Sequence, residues 1–311
     1  MADKISEFIA FTGTESRQLA EYYLQITSMN VEHAINLFLE DSTEAEGSTD
    51  TQSKFSILEW NIQGLLPDYL KERTVAVVEE ITRLQPDVVM LQEVIMTTFV
   101  YIQAALSDYD VICPFMLDES ANASYFVAML VRKSSFQVYN QSLICFPTST
   151  QGRNVIKVSG KCCGSSITIM TSHLESTKEK SNERVKQLVQ ICDVMMECQS
   201  ENVVFGADTN LRDSEVTRAK RNSESTSKIS DIWEFLGSDE RTRYLWDLTL
   251  NDNQIKGGNA RLRFERLLMR DNSGNHGNLT PVSMETIGTN RLPCGLFPSD
   301  HWGALVTFKK H

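Results

Sequence analysis

A chain of 311 residues with 41% hydrophobic and 23% charged residues has ordinary globular composition, which excludes wholesale disorder, and its length suits one large domain with a small accessory module. The formal charge of −11 excludes a uniformly basic nucleic-acid binder, but it is unevenly spread. Residues 1–50 hold ten acidic groups against Lys4 and Arg17, leaving 31 acidic and 28 basic groups in residues 51–311. That near-neutral remainder can still present a local basic patch to phosphates. The seven cysteines form neither a disulfide ladder nor a CxxC zinc pattern, so reduced thiols are expected. MADKISEF lacks the apolar core of a signal peptide, and no run approaches the ~20 apolar residues of a membrane span, so a soluble intracellular protein is expected.

In chain order, apolar residues first recur in three short helical clusters: Ile5, Phe8 and Ile9; Leu19, Tyr22, Tyr23 and Leu24; Val31, Ala34, Ile35, Leu37 and Phe38. Gly13 interrupts the first pair of clusters, Ser28 and Asn30 the second, so residues 1–41 read as a three-helix bundle near the lower size limit for independent folding. Residues 42–53, within DSTEAEGSTDTQSK, have no large apolar side chain and read as a flexible acidic linker. From 54 to 311 strands alternate with helices. Phe55, Ile57 and Leu58 lead a strand into Trp60 and Asn61, the pattern predicts a helix over 71–85, and VVML at 88–91 is a buried strand. Further strands are predicted at 126–131, 142–146, 166–170, 203–205 and 303–308, with a helix at about 181–199. This is a mixed α/β domain, and periodicity alone does not choose between a single sheet and a two-sheet sandwich.

The polar motifs sit where predicted strands end: WNIQGL (60–65), LQEV (91–94), TSHLEST (171–177), GADTNLRD (206–213), RLRFERLL (261–268) and FPSDHWG (297–303). Each alone is weak, because a carboxylate after a strand is more often a cap or a surface group. Together and in this order they resemble the exonuclease–endonuclease–phosphatase superfamily. SHLEST, GADTNLRDSEVTR, WEFLG and FPSDHWG are more specifically similar to its 5′-tyrosyl-DNA phosphodiesterase family. The segment FTGTESRQLAEYYLQITSMNVEHAINLFLE resembles a ubiquitin-associated (UBA-like) domain. The resemblance implies an α/β two-sheet sandwich, the exonuclease–endonuclease–phosphatase fold, spanning 54–311 behind a UBA-like bundle that binds ubiquitin or ubiquitylated proteins.

Phosphodiester hydrolysis needs a divalent cation on hard oxygen ligands, a positioned water and donors to the non-bridging oxygens. The resemblance assigns these parts. Glu93, with Asn61 and Asp300, would hold Mg²⁺, or Mn²⁺ in its place. Asp208 would orient or deprotonate the attacking water, Asn210 would bind a phosphate oxygen, and His301 would donate to the phosphate with His173 as a second donor. Arg212 would lie in the substrate groove and stack on Trp246, while Leu65 and Leu66 would line the nucleotide path or serve the core. The implied substrate is a tyrosine joined to a DNA 5′-phosphate, as left by a trapped type II topoisomerase, which places the protein in the nucleus and also the cytoplasm. A phenol of pKa ~10 leaves without strong acid assistance.

Three positions depart from the family pattern. Gln63 stands where NxDG has Asp, GADTN replaces GGDTN, and Glu265 occupies the Asp position of RFDR, whose carboxylate supports the catalytic histidine. Two other readings stand beside this one: another phosphodiesterase of the same fold, acting on abasic sites or on lipid or inositol phosphates, and a catalytically silent ubiquitin-binding adaptor.

Overall fold

The computed structural model describes residues 2–14, 17–36, 38, 54–121, 123–270 and 279–311; the expected linker at 42–53 lies outside them. The chain divides into a helical unit, Met1–Gln52 with Val138–Asn140, and an α/β unit, Ser53–Gln137 with Gln141–His311. In the helical unit, α1 (Ala2–Thr12), α2 (Arg17–Ile26) and the helical residues 31–36, α3, close around Ile5, Phe8, Ala20, Tyr23, Leu24, Ala34 and Ile35. Gly13 turns the chain after α1 with φ +70°, a left-handed conformation that glycine adopts without a Cβ penalty.

The α/β unit contains β1 (Lys54–Asn61), α4 (Leu70–Leu84), β2 (Val88–Val94), α5 (Met96–Ala105), β3 (Tyr109–Ile112), α6 (Pro114–Leu117), β4 (Phe126–Arg132), β5 (Phe136–Cys145), β6 (Asn154–Cys162) and β7 (Ser165–His173). It continues through α7 (Ser181–Glu197), β8 (Asn202–Asp208), α8 (Asp213–Asn222), β9 (Ile229–Asp231), β10 (Trp246–Asp247), β11 (Arg261–Leu262), β12 (Glu265–Arg270), β13 (Leu279–Ile287) and β14 (Gly303–Lys310). The strands form two six-stranded sheets, β13-β14-β1-β2-β4-β3 and β5-β6-β7-β8-β12-β9, with β10 and β11 as a separate ribbon. The two-sheet sandwich implied by the resemblance is therefore the architecture.

Each sheet has one parallel pair near its centre, β1 with β2 and β7 with β8. Parallel neighbours need a crossover, and α4 and α7 supply it. Period-two alternation then sorts the side chains. Leu58 and Trp60 of β1 and Ile62 just after it join Val77 and Ile81 of α4 in one apolar cluster, and Val203 and Phe205 of β8 join Leu188, Ile191 and Met195 of α7 in another. The intervening residues of β1 and β8 face the opposite sheet: Gly206 leaves so little room that an added Cβ would come within 2.7 Å of the Met90 sulfur and 3.5 Å of Glu59 Cγ. Each fully buried Phe or Ile side chain contributes roughly 1.5–3 kcal/mol by leaving water.

The sequence pattern undercounts the strands. The 142–146 strand is the end of the longer β5, and β6, β12 and β13 have no predicted counterpart. β6 reads NVIKVSGKC and β13 is an edge strand whose register shifts between Pro281 and Ser283. Neither offers a continuous apolar run.

Candidate active site

The parallel pairs place their carboxyl ends on the same side of each sheet, and the motifs lie there. Asn61 ends β1, Glu93 lies one residue before the end of β2, and His173 and Asp208 end β7 and β8 opposite each other in register. Two antiparallel strands complete the ring: Glu265 begins β12 paired with Asp208, and Asp300 and His301 immediately precede β14. Gln63, Glu93, Thr177 and Asn210 all take φ between +50° and +70°, a left-handed backbone that costs non-glycine residues energy and clusters at functional sites. At β2 the register shifts between Leu91 and Val94, a bulge of the kind that re-aims a side chain. Gly64 fits the same corner because a Cβ there would lie 2.1 Å from the Glu93 carbonyl oxygen.

Asp208 is 2% exposed and saturated with donors. Asn61 Nδ2 donates to its Oδ2 at 3.0 Å, the Asn210 backbone N–H to its Oδ1 at 3.0 Å, and His173 Nε2 lies 3.3 Å from Oδ2. Burial alone would raise its pKa, but His173, His301 and these hydrogen bonds outweigh it and hold the carboxyl below its ordinary range. His173 was expected to donate to phosphate. Its Nε2 lies against Asp208 Oδ2, residues 173 and 208 being partners in the parallel ladder. Burial lowers the His173 pKa to about 3, so the neutral imidazole is the donor.

His301 Nδ1 is hydrogen-bonded to Glu265 Oε1, its backbone N–H to Ser299 Oγ at 3.1 Å, and its carbonyl accepts from Trp60 Nε1 at 2.9 Å. Burial would strip the imidazole of its proton, yet the charges of Glu265, Asp300 and Asp208 hold the His301 pKa well above its ordinary value. Burial raises the Glu265 pKa as well, so the two groups compete for the proton, and the three carboxylates around the ring favour it there. Arg263 and Arg266, the alternative partners for Glu265, are held by Asp231 and, for Arg266, also by Asp213.

Burial and the carboxylates of Asp300 and Asp208 raise the Glu93 pKa to about 7, opposed by His301 and by a hydrogen bond from Asn61. Anionic oxygens crowded in this way form a hard-oxygen donor set suited to a divalent cation, which would relieve their repulsion. Gln63 braces the set: its Oε1 accepts from the Asp300 backbone N–H at 3.1 Å and from Asn253 Nδ2 at 3.3 Å. Asp208, Glu265 and His301 also bring ligand atoms within 4.8 Å of one another. In that trio Glu265 already occupies His301 Nδ1.

These groups line a cavity of about 580 Å³ that also takes in Leu65, Leu66, Arg212, Trp246 and Phe264. Arg212 does not take Trp246 as its stacking partner: its guanidinium lies over Phe264, 5.3 Å from the ring centroid, and Phe264 packs against Trp246 at 5.3 Å. Within RFER, Phe264 is one apolar residue among charged ones, and nothing in the sequence sets it apart as a site residue. A second cavity of about 300 Å³ shares His173 with the first and is lined by Tyr125, Phe126, Phe146, Gln151 and Arg153. Arg153 lies 5.1 Å from the Tyr125 ring centroid, and Tyr125 meets His173 edge-on at 6.3 Å. Tyr125 and Arg153 immediately precede β4 and β6, but neither belongs to a polar motif of the sequence. Glu59 was also missed: it is fully buried, neither oxygen has a partner among the described residues, and burial together with Glu265 and Asp208 drives its pKa well up. It reads as a neutral acid behind the His301 pair.

With this geometry in hand, comparison with known proteins gives two family matches, the "Endonuclease/Exonuclease/phosphatase family" over residues 58–301 and the "UBA-like domain" over residues 2–45. The chain is 42% identical over 257 residues to the Gallus gallus protein named tyrosyl-DNA phosphodiesterase 2, covering 82% of this chain and 67% of that protein. The crystal structure of Danio rerio tyrosyl-DNA phosphodiesterase 2 complexed with single-strand DNA product aligns with a TM-score of 0.76 at 34% identity, covering 83% of this chain and all of that one. The Caenorhabditis elegans structure aligns with a TM-score of 0.72 at 30% identity over 99% and 93% of the two chains.

Proposed function

This chain belongs to the endonuclease/exonuclease/phosphatase family and, within it, to the tyrosyl-DNA phosphodiesterase 2 group, and we propose that it hydrolyses the bond between tyrosine and a DNA 5′-phosphate, leaving a 5′-phosphate end. The observation that carries this reading is the convergence of Asp208, the Glu265–His301 pair and the Glu93 carboxylate cluster on one cavity, in a chain 42% identical to a relative of that name.

Glu93, Asp300 and Asn61 are the residues that would hold the metal, and their oxygens favour Mg²⁺, with Mn²⁺ as a substitute. The ion, when bound, polarises a phosphate oxygen and neutralises charge on the phosphoryl group. Asp208 is held ionised and fixed by three donors, so it orients the attacking water and takes its proton. His301, kept as the imidazolium by Glu265, donates to a phosphate oxygen as negative charge develops. Asn210 supports the same oxygens from the opposite lip.

A phosphotyrosyl end extends from its phosphate in two directions, and two cavities meet at His173. We read the larger, with Arg212 over Phe264 beside Trp246, as the strand side, where rings and a cation receive bases and backbone. The smaller, with Arg153 over Tyr125, is the tyrosine side. Trapped type II topoisomerase is the natural source of such ends, which makes the nucleus the principal location, with a cytoplasmic pool. The UBA-like unit would recruit the enzyme to ubiquitin or ubiquitylated adducts.

The test is hydrolysis of a 5′-tyrosyl oligonucleotide, with and without Mg²⁺, against an abasic duplex and a phosphoinositide. Activity on the tyrosyl substrate should dominate and require the metal. Asp208→Asn and His301→Ala should each retain the fold and lower turnover by ~10³-fold. Preference for the abasic duplex or the lipid would move the protein elsewhere in the same fold family. A folded but wholly inert chain would favour the ubiquitin-binding adaptor.

A further inference from the structure

Two residues beyond His173, Glu175 is completely buried and lines neither cavity itself, but its carboxylate holds Ser149 and Gln151, which line the smaller one. It faces the loop between β5 and β6. Oε1 accepts from Ser149 Oγ at 2.7 Å, from the Thr150 backbone N–H at 2.7 Å and from the Gln151 backbone N–H at 3.0 Å, and Thr150 Oγ1 reaches Oε2 at 3.4 Å. Two backbone donors and a hydroxyl converging on one anionic oxygen fix a loop tightly, since charge-assisted hydrogen bonds are the strong ones.

That loop ends in Arg153. The Arg153 backbone N–H donates to Ser149 Oγ at 2.8 Å, the same hydroxyl that donates to Glu175. The guanidinium is steadied by Ser176 Oγ at 3.0 Å and Gln151 Oε1 at 3.3 Å, and Gln151 Oε1 also accepts from the Ser176 backbone N–H at 2.7 Å. The anchor is itself held by its backbone. The Glu175 backbone N–H donates to Gln187 Oε1 at 3.0 Å, and its carbonyl accepts from Arg184 at 3.1 Å, which is itself paired with Glu215 at 2.7 Å.

We propose that Glu175 is a positioning residue for the tyrosine flank, its carboxylate setting the 149–153 loop so that Arg153 is held over Tyr125 beside His173. The arrangement gives the side chain a task that a merely structural acid would not have. An exposed loop could close with water as its partner; this one is closed by a buried anion whose sequence distance from His173 is two residues. Hydrogen bonds from the loop outweigh burial and keep the Glu175 pKa below its ordinary value, so the anchor carries its charge throughout the neutral range. The inference rests on the reading of the smaller cavity as the tyrosine side.

The experiment is a double-mutant cycle on kcat/KM with a 5′-tyrosyl oligonucleotide, using Glu175→Gln, Arg153→Gln and the double variant. Glu175→Gln and Arg153→Gln should each lower kcat/KM about 10- to 50-fold, and the double variant should fall no more than about twofold below Arg153→Gln, because residues acting as a unit are not additive. Combined with Arg212→Gln, on the other flank, Glu175→Gln should multiply. Should Glu175→Gln not fold, Ser149→Ala removes one link of the same chain and should behave in the cycle the same way with a smaller single effect. In the NMR spectrum the Arg153 Hε resonance should lose its Tyr125 ring-current shift in Glu175→Gln, a change that a loss of stability alone does not produce. Multiplicative effects with Arg153→Gln, or wild-type kcat/KM in a folded Glu175→Gln, would overturn the proposal. An inactive wild-type enzyme would instead overturn the functional reading, and this inference with it.

Discussion

Glu265 is the residue at which this chain departs most consequentially from its family pattern, and the extra methylene is absorbed without loss of the bond to His301 Nδ1. Because β12 begins at Glu265, directly across from Asp208, the carboxylate is delivered by a strand and its reach is set by backbone register. Glu265 is the largest favourable influence keeping His301 protonated. Removing its charge should lower the imidazole pKa and shift to lower pH the point at which activity falls as pH rises. Glu265→Gln should therefore lose about 10- to 10³-fold in turnover at neutral pH, with Glu265→Asp close to wild type. An alkaline limb that stays in place in Glu265→Gln would separate Glu265 from His301 function. His173 supplies a second titration. Its folded pKa of about 3 lies below the ordinary imidazole value, so the unfolded chain binds the extra proton. The stability it contributes is present above pH ~6.5 and is lost as pH falls toward 3, at up to about 1.4 kcal/mol per unit. Urea unfolding at pH 7 and pH 4 should show this slope, and His173→Gln should flatten it.

At the scale of elements, the site is a product of two crossovers. Parallel β1/β2 and β7/β8 bring four motif ends to one region, and antiparallel β12 and β14 add the rest from their starts. One glycine ties this arrangement to the core. Gly288, at φ +78°, follows β13, and a Cβ there would fall 2.2 Å from the Trp60 ring, whose indole N–H holds the His301 carbonyl. Gly288→Ala should cost about 1–3 kcal/mol of stability from overpacking, with further strain from the positive φ. It should also lower turnover about tenfold by displacing His301. Calorimetry and steady-state kinetics would check the two effects separately, and an unchanged turnover would mean that Trp60 does not transmit to the site.

The motif ends were legible in the sequence because Asn61, Glu93, His173, Asp208 and His301 each follow or precede an apolar run. Tyr125, Arg153 and Phe264 were not, because Tyr125 reaches Arg153 and His173, and Phe264 reaches Arg212 and Trp246, only through packing between segments far apart in the chain. Nor were β6 and β13 legible: in β6 the buried Ser159 and Gly160 and the lysines interrupt the apolar pattern, and in β13 a half-exposed face does, and strand recognition depends on that pattern.

For the whole molecule, charge and core divide along the same line. Residues 1–50 carry ten of the acidic groups, and the helical unit has its own apolar cluster around Phe8 and Tyr23. Deletion of residues 1–50 should therefore leave hydrolysis of a short tyrosyl oligonucleotide within about twofold of wild type. Residues 1–45 alone should remain helical and show weak, saturable ubiquitin shifts in an NMR titration, centred on Phe11 to Gly13 and the third helix. Phe11 is 76% exposed, the kind of apolar contact a small recognition domain offers. No shifts at millimolar ubiquitin would leave the unit as a bundle without that partner.

The four tryptophans are also distributed in a way that makes the protein its own optical instrument. Trp60 is fully buried with its indole N–H bonded to His301, so its emission is shielded from solvent and follows the carbonyl beside the imidazolium. Trp246 is half-buried, packs on Phe264 and is the tryptophan among the residues lining the larger cavity. A base stacked there would quench Trp246 while leaving Trp60 bright. Because Trp233 and Trp302 emit as well, Trp246→Phe and Trp60→Phe variants would assign the two signals, with occupancy of the strand side read as the quenching lost in Trp246→Phe.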